Sequence, residues 1–509
     1  MSRSVEVRAG RYHDSVTLML LSETLGHDPA VAHALVAMAT GLNLELLADA
    51  GYQVPGAGAG DLVIAVHLVD GLGDADGELE RLRTLADGLL SRSQADAARG
   101  TGGSAGQDPP RSVTSAAARS GATVALISVP GAHAFRTAME AIEAGLHPVI
   151  FSDNVSVDHE VAIKEAANAA GLVAMGPDCG TVILDGVGLG FANAVVPGPI
   201  GLVSASGTGA QQVCALADQA GLGVRHVIGL GGRDLSDAVG GRSALPALRL
   251  LDADPAVEVI GIVAKEIGPA TAARLDEVRA TLATPSVLLG TDDLTATTAE
   301  LLAVAGVEPP EPLHWDPAAT RPADTRPAAT RPADTRPADI GPADTPPEVA
   351  RPAGEGGGRI VGLYGGGTLA AEAEAVLEAA GIGPERREIV DLGDDRYTQG
   401  RPHPMIDDRL RLDRLHQALA DPDVAVVLLD VVLGHGCLAD PAAGLAPVIA
   451  ATDRPVHVAV VGTADDPQGR DSQAEALARA GASVWLSNSA AARAAAASAP
   501  AAADTREAR

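Results

Sequence analysis

Aromatic residues are nearly missing from this chain. Of 509 residues, three are phenylalanine, four tyrosine and two tryptophan. Platforms for stacking nucleic-acid bases are therefore scarce, and the cores must be built from Ala, Val, Leu and Ile. Lysine is scarcer still: Lys164 and Lys265 stand against 35 arginines. The three cysteines, Cys179, Cys214 and Cys437, form no CxxC or Cys/His ligand spacing, which argues against a structural zinc site and a disulfide framework. No run of about 18 apolar residues occurs, so no membrane-spanning helix is expected. The opening MSRSVEVRAGRYHDS lacks the apolar stretch of a signal peptide. A formal charge of −29 leaves no basic excess for nucleic acid or anionic membrane surfaces. Together these absences predict a soluble, cytoplasmic protein with neither kind of partner.

What is present is α/β rhythm. Hydrophobic residues make up 46%, enough for large cores, and the length predicts about three or four domains. Residues 1–91 read as a small α/β unit, with strands in SVEVRAG, VAHALVAMA and DLVIAVHLV. Its helices are DSVTLMLLSETL, with Asp14 as N-cap, NLELLADAG and ELERLRTLADGLL. Residues 92–110 have a linker's composition. From 111 to 308 apolar strands alternate with amphipathic helices, which predicts parallel strands covered on both faces. We divide this stretch into a Rossmann-like domain, 111–198, and a flavodoxin-like domain, 199–308. Residues 309–358 carry TRPAD repeats and read as a Pro-rich tether. A second doubly wound α/β domain is expected at 359–490, and a frayed low-complexity tail at 491–509.

Two strand-to-helix turns stand out. GLVSASGTGAQQVC (201–214) runs an apolar strand into Ser204, Ser206, Gly207, Thr208 and Gly209 before a helix. The first amides of a helix have no partner inside it and carry partial positive charge. Glycines let an anion come close to them. A plain capped turn is the alternative. GLYGGGTLAAEAE (362–374) repeats the grammar with Gly365, Gly366, Gly367 and Thr368. Three successive glycines cost conformational entropy, so a close approach is expected there. Two such starts could face one phosphate.

Other strand ends offer polar groups. MGPDCGT (175–181) sets Asp178, Cys179 and Thr181 at the sheet's carboxyl edge, where such folds bind ligands. GLGGRDLSDAVGG adds Arg233, and VAKEIG adds Lys265 and Glu266. DLGDDRYTQGRPHPMID (391–407) gathers Asp394, Asp395, Arg401 and His403 in one loop. His403 is the candidate acid or base and Arg401 the candidate oxyanion clamp. The spacing of Asp394, Asp395, His403 and Asp430 does not demand a metal, and none is assigned.

VAMGPDCGT, PIGLVSASGTGAQQV and IGLGG resemble the α subunit of succinyl-CoA synthetase, a family with two helix starts aimed at a phosphoryl group. DSVTLM, MGPDCGT, SGTGAQQV, YGGGTL, RPHPMID and LLDVVLG together resemble the FdrA family over nearly the whole chain outside its linkers. The resemblance implies a fold of the succinyl-CoA synthetase type. It also implies other FdrA-associated subunits as partners, and Glu266 where the synthetases keep a glutamate near their phosphorylated group. In those synthetases a phosphorylated histidine follows the strand matching PSVLLGT; here TDDLTATTAELL follows, without histidine. The first Rossmann strands, with their CoA loop, are replaced by the 1–91 unit. On this ground the expected function is a subunit of oxamate carbamoyltransferase in allantoin and purine catabolism, taking carbamoyl phosphate or phosphate. The alternative is an acyl-CoA synthetase subunit using CoA, ATP/ADP and Mg2+ on a small carboxylate. A second alternative is a non-catalytic protein that binds an acyl phosphate or a nucleotide.

Overall fold

The computed structural model describes residues 3–10, 13, 15–26, 28–40, 43–44, 47–48, 51–54, 56–58, 60–69, 74–100, 110, 112–317, 358–398 and 402–500. In the N-terminal unit, β1 (Arg3–Arg8), β2 (Val31–Met38) and β3 (Leu62–Leu68) form an antiparallel sheet in the order β1-β3-β2. The central β3 alternates between two buried faces. Leu62, Ile64, Val66 and Leu68 meet Leu18, Leu21 and Leu25 of α1 (Ser15–Gly26) and Leu82, Ala86 and Leu90 of α2 (Ala75–Gly100). Val63 and Ala65 on the opposite face meet Leu47 and Tyr52. Residues 92–100, expected to be linker, continue α2 to Gly100, and 101–109 lie outside the described residues. Asp14, the expected N-cap of α1, lies outside the described residues.

A second unit holds, of the described residues, 110, 112–317, 358–398 and 403–500. It starts with α3 (Val113–Ser120), β4 (Val124–Ile127), α4 (Gly131–Glu143), β5 (His147–Ile150) and α5 (Val157–Ala169). Here β4 and β5 pair in parallel, and Val149 bridges to Met175. A six-stranded sheet follows. It comprises β6 (Thr181–Leu184), β7 (Val187–Gly190), β8 (Ile200–Ser204), β9 (Val224–Gly229), β10 (Val259–Ala264) and β11 (Ser286–Gly290). Its order is β11-β10-β8-β9-β6-β7. Four of these strands are parallel, as the rhythm predicts, and are linked by α6 (Gly207–Gln219), α7 (Ala244–Ala253) and α8 (Pro269–Arg279). After β11 comes α9 (Leu294–Val304). Every residue of β8 and β10 is buried, as expected for strands covered on both faces. The hairpin β6–β7 was not anticipated. Its turn, Asp185-Gly186, has positive φ at both residues, the conformation that an Asp-Gly pair between apolar runs favours.

The C-terminal sheet comprises β12 (His314–Trp315), β13 (Arg359–Tyr364), β14 (Arg387–Asp391), β15 (Val424–Val432), β16 (Val456–Val461) and β17 (Ser483–Trp485), in the order β12-β17-β16-β15-β13-β14. All pairs are parallel except β12 with β17. The helices are α10 (Gly367–Ala379), α11 (Asp395–Thr398), α12 (Arg409–Ala420), α13 (Pro441–Ala450), α14 (Arg470–Ala480) and α15 (Asn488–Ser498). Two boundaries differ from expectation. Residues 314–315, assigned to the tether, add a strand to β17, while 318–357 lie outside the described residues. The tail expected to fray from 491 is helical through Ser498, because Ala491, Ala492 and Ala495 pack into the core against Val426, Leu428 and Val461.

Hydrogen bonds tie the two six-stranded halves together. On α6, Gln211 Nε2 donates to Leu433 O and Gln212 Nε2 to Leu486 O, while Gln212 Oε1 accepts from Asn488 N. Buried Asp466 accepts from Asn193 Nδ2, Ala194 N and Thr463 N. Glu372, fully buried on α10, accepts from Leu294 N and Asn488 Nδ2, at the starts of α9 and α15.

Candidate functional site

The first glycine turn leaves β8 and enters α6. Ser204 Oγ donates to Ser206 O and accepts from Ser206 N, which folds the turn back on itself. Ser206 is the N-cap, and its Oγ accepts the Gly209 amide at 2.9 Å. Ser204 and Gly209, both expected to bind phosphate directly, are thus committed to shaping the turn. The amides of Gly207 and Thr208 remain, with no carbonyl to reach inside their helix.

The second turn leaves β13 and enters α10. Asp430, fully buried in β15, accepts the Gly365 and Gly366 amides, each at 2.8 Å. Arg411 braces it, with Nη1 donating to Asp430 O at 2.7 Å and Nη2 lying 3.2 Å from Oδ1. Two of the three glycine amides expected to bind an anion therefore hold a carboxylate of the protein itself. No side chain caps α10, so the amides of Gly367 and Thr368 stay available.

These two turns meet. Ser206 Oγ and Thr368 Oγ1 are 2.5 Å apart and both residues are buried. A Cβ on Gly366 would lie 2.8 Å from both Cγ2 and Oγ1 of Thr208. The glycine is needed because the other helix start occupies its side-chain space. Thr181, at the start of β6, joins them: its Oγ1 is 2.9 Å from the Cβ position of Gly207.

Charged groups come from both halves. Asp391 ends β14 and accepts Gly393 N through Oδ1 at 2.9 Å. Its Oδ2 fills the side-chain space of Gly367, and Lys265 Nζ lies 3.6 Å from the same point. Burial pushes the Asp391 carboxyl up to about 6; the Gly393 bond opposes this, Asp430 adds to it, and Lys265 opposes it. Lys265 is an exposed residue, as is Glu266 beside it; partial desolvation lowers its ammonium, while Asp391 and Asp178 act in the other direction. His403 Nδ1 accepts Met405 N at 3.2 Å, so the ring proton belongs on Nε2, which lies 2.6 Å from the Cβ position of Gly393. Burial first, and then Arg411, lower its pKa to about 4. At neutral pH this is a neutral imidazole offering an N–H, rather than a poised proton shuttle. Phe191 packs on the ring with centroids 5.7 Å apart, and Phe151 lies 5.6 Å from Phe191. Phe191 thus walls the histidine, with Phe151 packed behind it.

Several expected residues do other work. Cys179 is 4% exposed, its Sγ faces Thr181 O at 3.6 Å, and burial pushes its thiol up to about 12. It is core rather than ligand lining. Arg233 is turned to Glu160 Oε2 and Val155 O. Asp394 is bound by Nε and Nη2 of Arg396. Glu266 and Asp178 are exposed, Asp178 in the left-handed region at φ 55°. Asp395 opens α11, and Arg401 lies outside the described residues. Asp391 and Arg411 are the residues around these turns that sequence reasoning passed over, and Asp430, weighed there only as a metal ligand, instead anchors the second glycine turn. Asp391 carried a usable signal: an acidic residue ending a strand beside a glycine turn. Native-state thiol labelling is expected to spare Cys179 and Cys214, both buried. Both should react after unfolding, as read by peptide mass spectrometry.

Among the described residues, no three His, Cys, Asp or Glu side chains gather to hold a metal, and no helix is long and apolar enough to cross a membrane.

Residues 363–498 match the family model described as CoA-ligase, and residues 1–107 match one described as AllF, heavy metal-associated domain. Residues 1–107 contain no cysteine. Soft heavy metals favour thiolates, so the donors of this domain do not fit such an ion. Succinate–CoA ligase [ADP-forming] subunit alpha 2 of Archaeoglobus fulgidus is 30% identical over 161 residues, 31% of this chain and 54% of that protein. The chain thus spans about half the length of that relative. A dinucleotide-forming acetyl-coenzyme A synthetase 1 of Ca. Korarchaeum cryptofilum, solved with phosphate and ADP, aligns with a TM-score of 0.31 and 16% identity, over 78% of this chain and 86% of that one. The carbamoyltransferase expectation is corrected by these sequence matches, which point to acyl-CoA ligases. The uncharacterized protein YahF of Escherichia coli is 34% identical over 470 residues, 87% of this chain and 86% of that protein. With a CoA-ligase domain behind an AllF-type N-terminal domain, the chain belongs to the family of YahF.

Proposed function

We propose that the chain is the phosphate-handling subunit of an acyl-CoA ligase of the FdrA-like kind, joining a small carboxylic acid to the thiol of CoA with cleavage of ATP. In this reaction a carboxylate oxygen takes the terminal phosphoryl group and ADP leaves. The CoA sulfur then attacks the acyl carbon, and inorganic phosphate leaves. The observation that carries the reading is the 2.5 Å contact between Ser206 and Thr368. It brings to one point two helix starts, each with positive partial charge, whose Gly207, Thr208, Gly367 and Thr368 amides have no acceptor inside their helices. The amides of Gly207, Thr208, Gly367 and Thr368 hold the phosphoryl oxygens, and Lys265 neutralises charge. His403 contributes its Nε2–H as a further donor. Mg2+ enters with the nucleotide as part of the substrate. Relatives named as subunits support a hetero-oligomer, and a cytoplasmic setting suits these substrates.

The test has two arms on the full chain. Calorimetric titration with inorganic phosphate should give one site per chain, and the variant Thr368→Val should weaken it about tenfold through loss of a hydroxyl donor. Incubation with short carboxylic acids, ATP, Mg2+ and CoA, with the co-purified partner subunits, should release phosphate only when CoA is present and form thioester in equal amount. Phosphate release independent of CoA would overturn the ligase assignment.

A further inference from the structure

We propose that the anion held between the two helix starts must carry a proton, and that Asp391 is the residue that demands it. The site then selects phosphate groups bearing a hydroxyl over fully ionised oxyanions of the same shape, such as sulfate. This inference rests on the phosphate reading above and specifies its ligand class.

Two independent features point to a ligand here. One is the pair of helix starts with the free first amides of Gly207, Thr208, Gly367 and Thr368. The other is Thr181: it is 3% exposed, and among the described residues its hydroxyl has no hydrogen-bond partner, yet it is aimed at the first residue of α6. An anion oxygen at Gly207 would give this hydroxyl a hydrogen-bond partner. Against these donors stands one acceptor. Asp391 Oδ1 is committed to Gly393 N, whereas Oδ2 is turned to Gly367, where α10 offers its first amides. An ionised carboxylate only accepts hydrogen bonds. An oxyanion seated on these amides would bring a second acceptor against Oδ2. Lys265 offsets one negative charge, but the two oxygens still need a hydrogen between them. Hydrogen phosphate, or a phosphate monoester that keeps one hydroxyl, supplies it. Sulfate at neutral pH does not, so for sulfate the carboxyl of Asp391 must itself take up a proton. With that carboxyl at about 6, protonating it at pH 7 corresponds to about one pKa unit, a tenfold loss of affinity.

Calorimetric titration of the full chain at pH 7 with phosphate and, separately, with sulfate at matched ionic strength tests this. Phosphate should bind at least tenfold tighter. In Asp391→Asn, whose amide can donate to either anion, the preference should collapse, with sulfate binding gained. A wild-type protein that binds both equally would overturn this inference and leave the phosphate site standing. A wild-type protein that binds neither would remove the phosphate reading itself. The wild-type ratio needs no variant, so the test does not depend on how Asp391→Asn folds.

Discussion

Replacing Lys164 by methionine is expected to destabilise the protein by about 3–5 kcal/mol, the range for breaking a buried ion pair from one side. Lys164 is fully buried, with Nζ donating to Glu160 Oε1 at 2.7 Å, Asp234 Oδ1 at 2.8 Å and Leu230 O at 3.0 Å. The substitution leaves two carboxylates facing each other without their cation. Asp234 also accepts the Ser243 and Ala244 amides at the start of α7, so its charge cannot move away without uncapping a helix. Arg233 also binds Glu160, yet its side chain is 46% exposed. Arg233→Ala should therefore cost much less, within about 1 kcal/mol. Urea unfolding of the two variants beside the parent measures the contrast. Equal, small losses would show that Lys164 is not the centre of this network.

The largest functional effect is expected from Gly366→Ala. Gly366 has φ −111°, which any residue adopts, so the backbone does not oppose the change. The obstacle is Thr208, whose Cγ2 and Oγ1 would both lie 2.8 Å from the new methyl group. One helix start must retreat by some tenths of an ångström, and Asp430 anchors the Gly366 amide against it. Overpacking of this kind costs about 1–3 kcal/mol in stability. Misplaced catalytic groups can lose about a hundredfold in turnover. We expect phosphate affinity to fall at least tenfold and thioester formation about a hundredfold. Adding Thr208→Ala should recover much of the affinity, because it empties the contested space. Recovery by that second change separates the steric account from general damage. A single variant with undiminished phosphate binding would show that the two starts do not act on the same ligand.

Much of this architecture was legible in the sequence because it follows from periodicity. Apolar runs in alternation with helical patterns located the strands of both six-stranded sheets except β6, β7 and β12. The two serine–glycine and glycine–threonine turns were legible as possible anion seats because strand, glycine and hydroxyl occur in a fixed order. The hairpin β6–β7 escaped notice although its Asp-Gly turn was in plain view. The helix α15 was hidden by composition: its alanines look like a frayed tail until burial of Ala491 and Ala495 is known.

Partners far apart in the chain were not legible. Asp430 and the amides it holds are 64 and 65 positions apart, and no local pattern announces such a pairing. The acidic loop at 391–407 invited the opposite error. Its charges suggest ligand contacts, yet Asp394 is spent on Arg396 two residues away. The function was hard to read from the sequence for a related reason. The missing histidine after β11 points away from a CoA ligase, although an anion cradle serves a CoA ligase and a carbamoyl transferase alike. The residues that distinguish the two chemistries are not those of the cradle.

The proposed phosphate site depends on the meeting of α6 and α10 at their first turns. Its most direct test is a cysteine pair, Ser206→Cys with Thr368→Cys, oxidised in the folded full chain and mapped by non-reducing peptide mass spectrometry. Side chains whose ends lie 2.5 Å apart should be bridged by a disulfide, and phosphate should slow the bridging by occupying the space beside it. Two free thiols at these positions after oxidation of the folded protein would contradict the account.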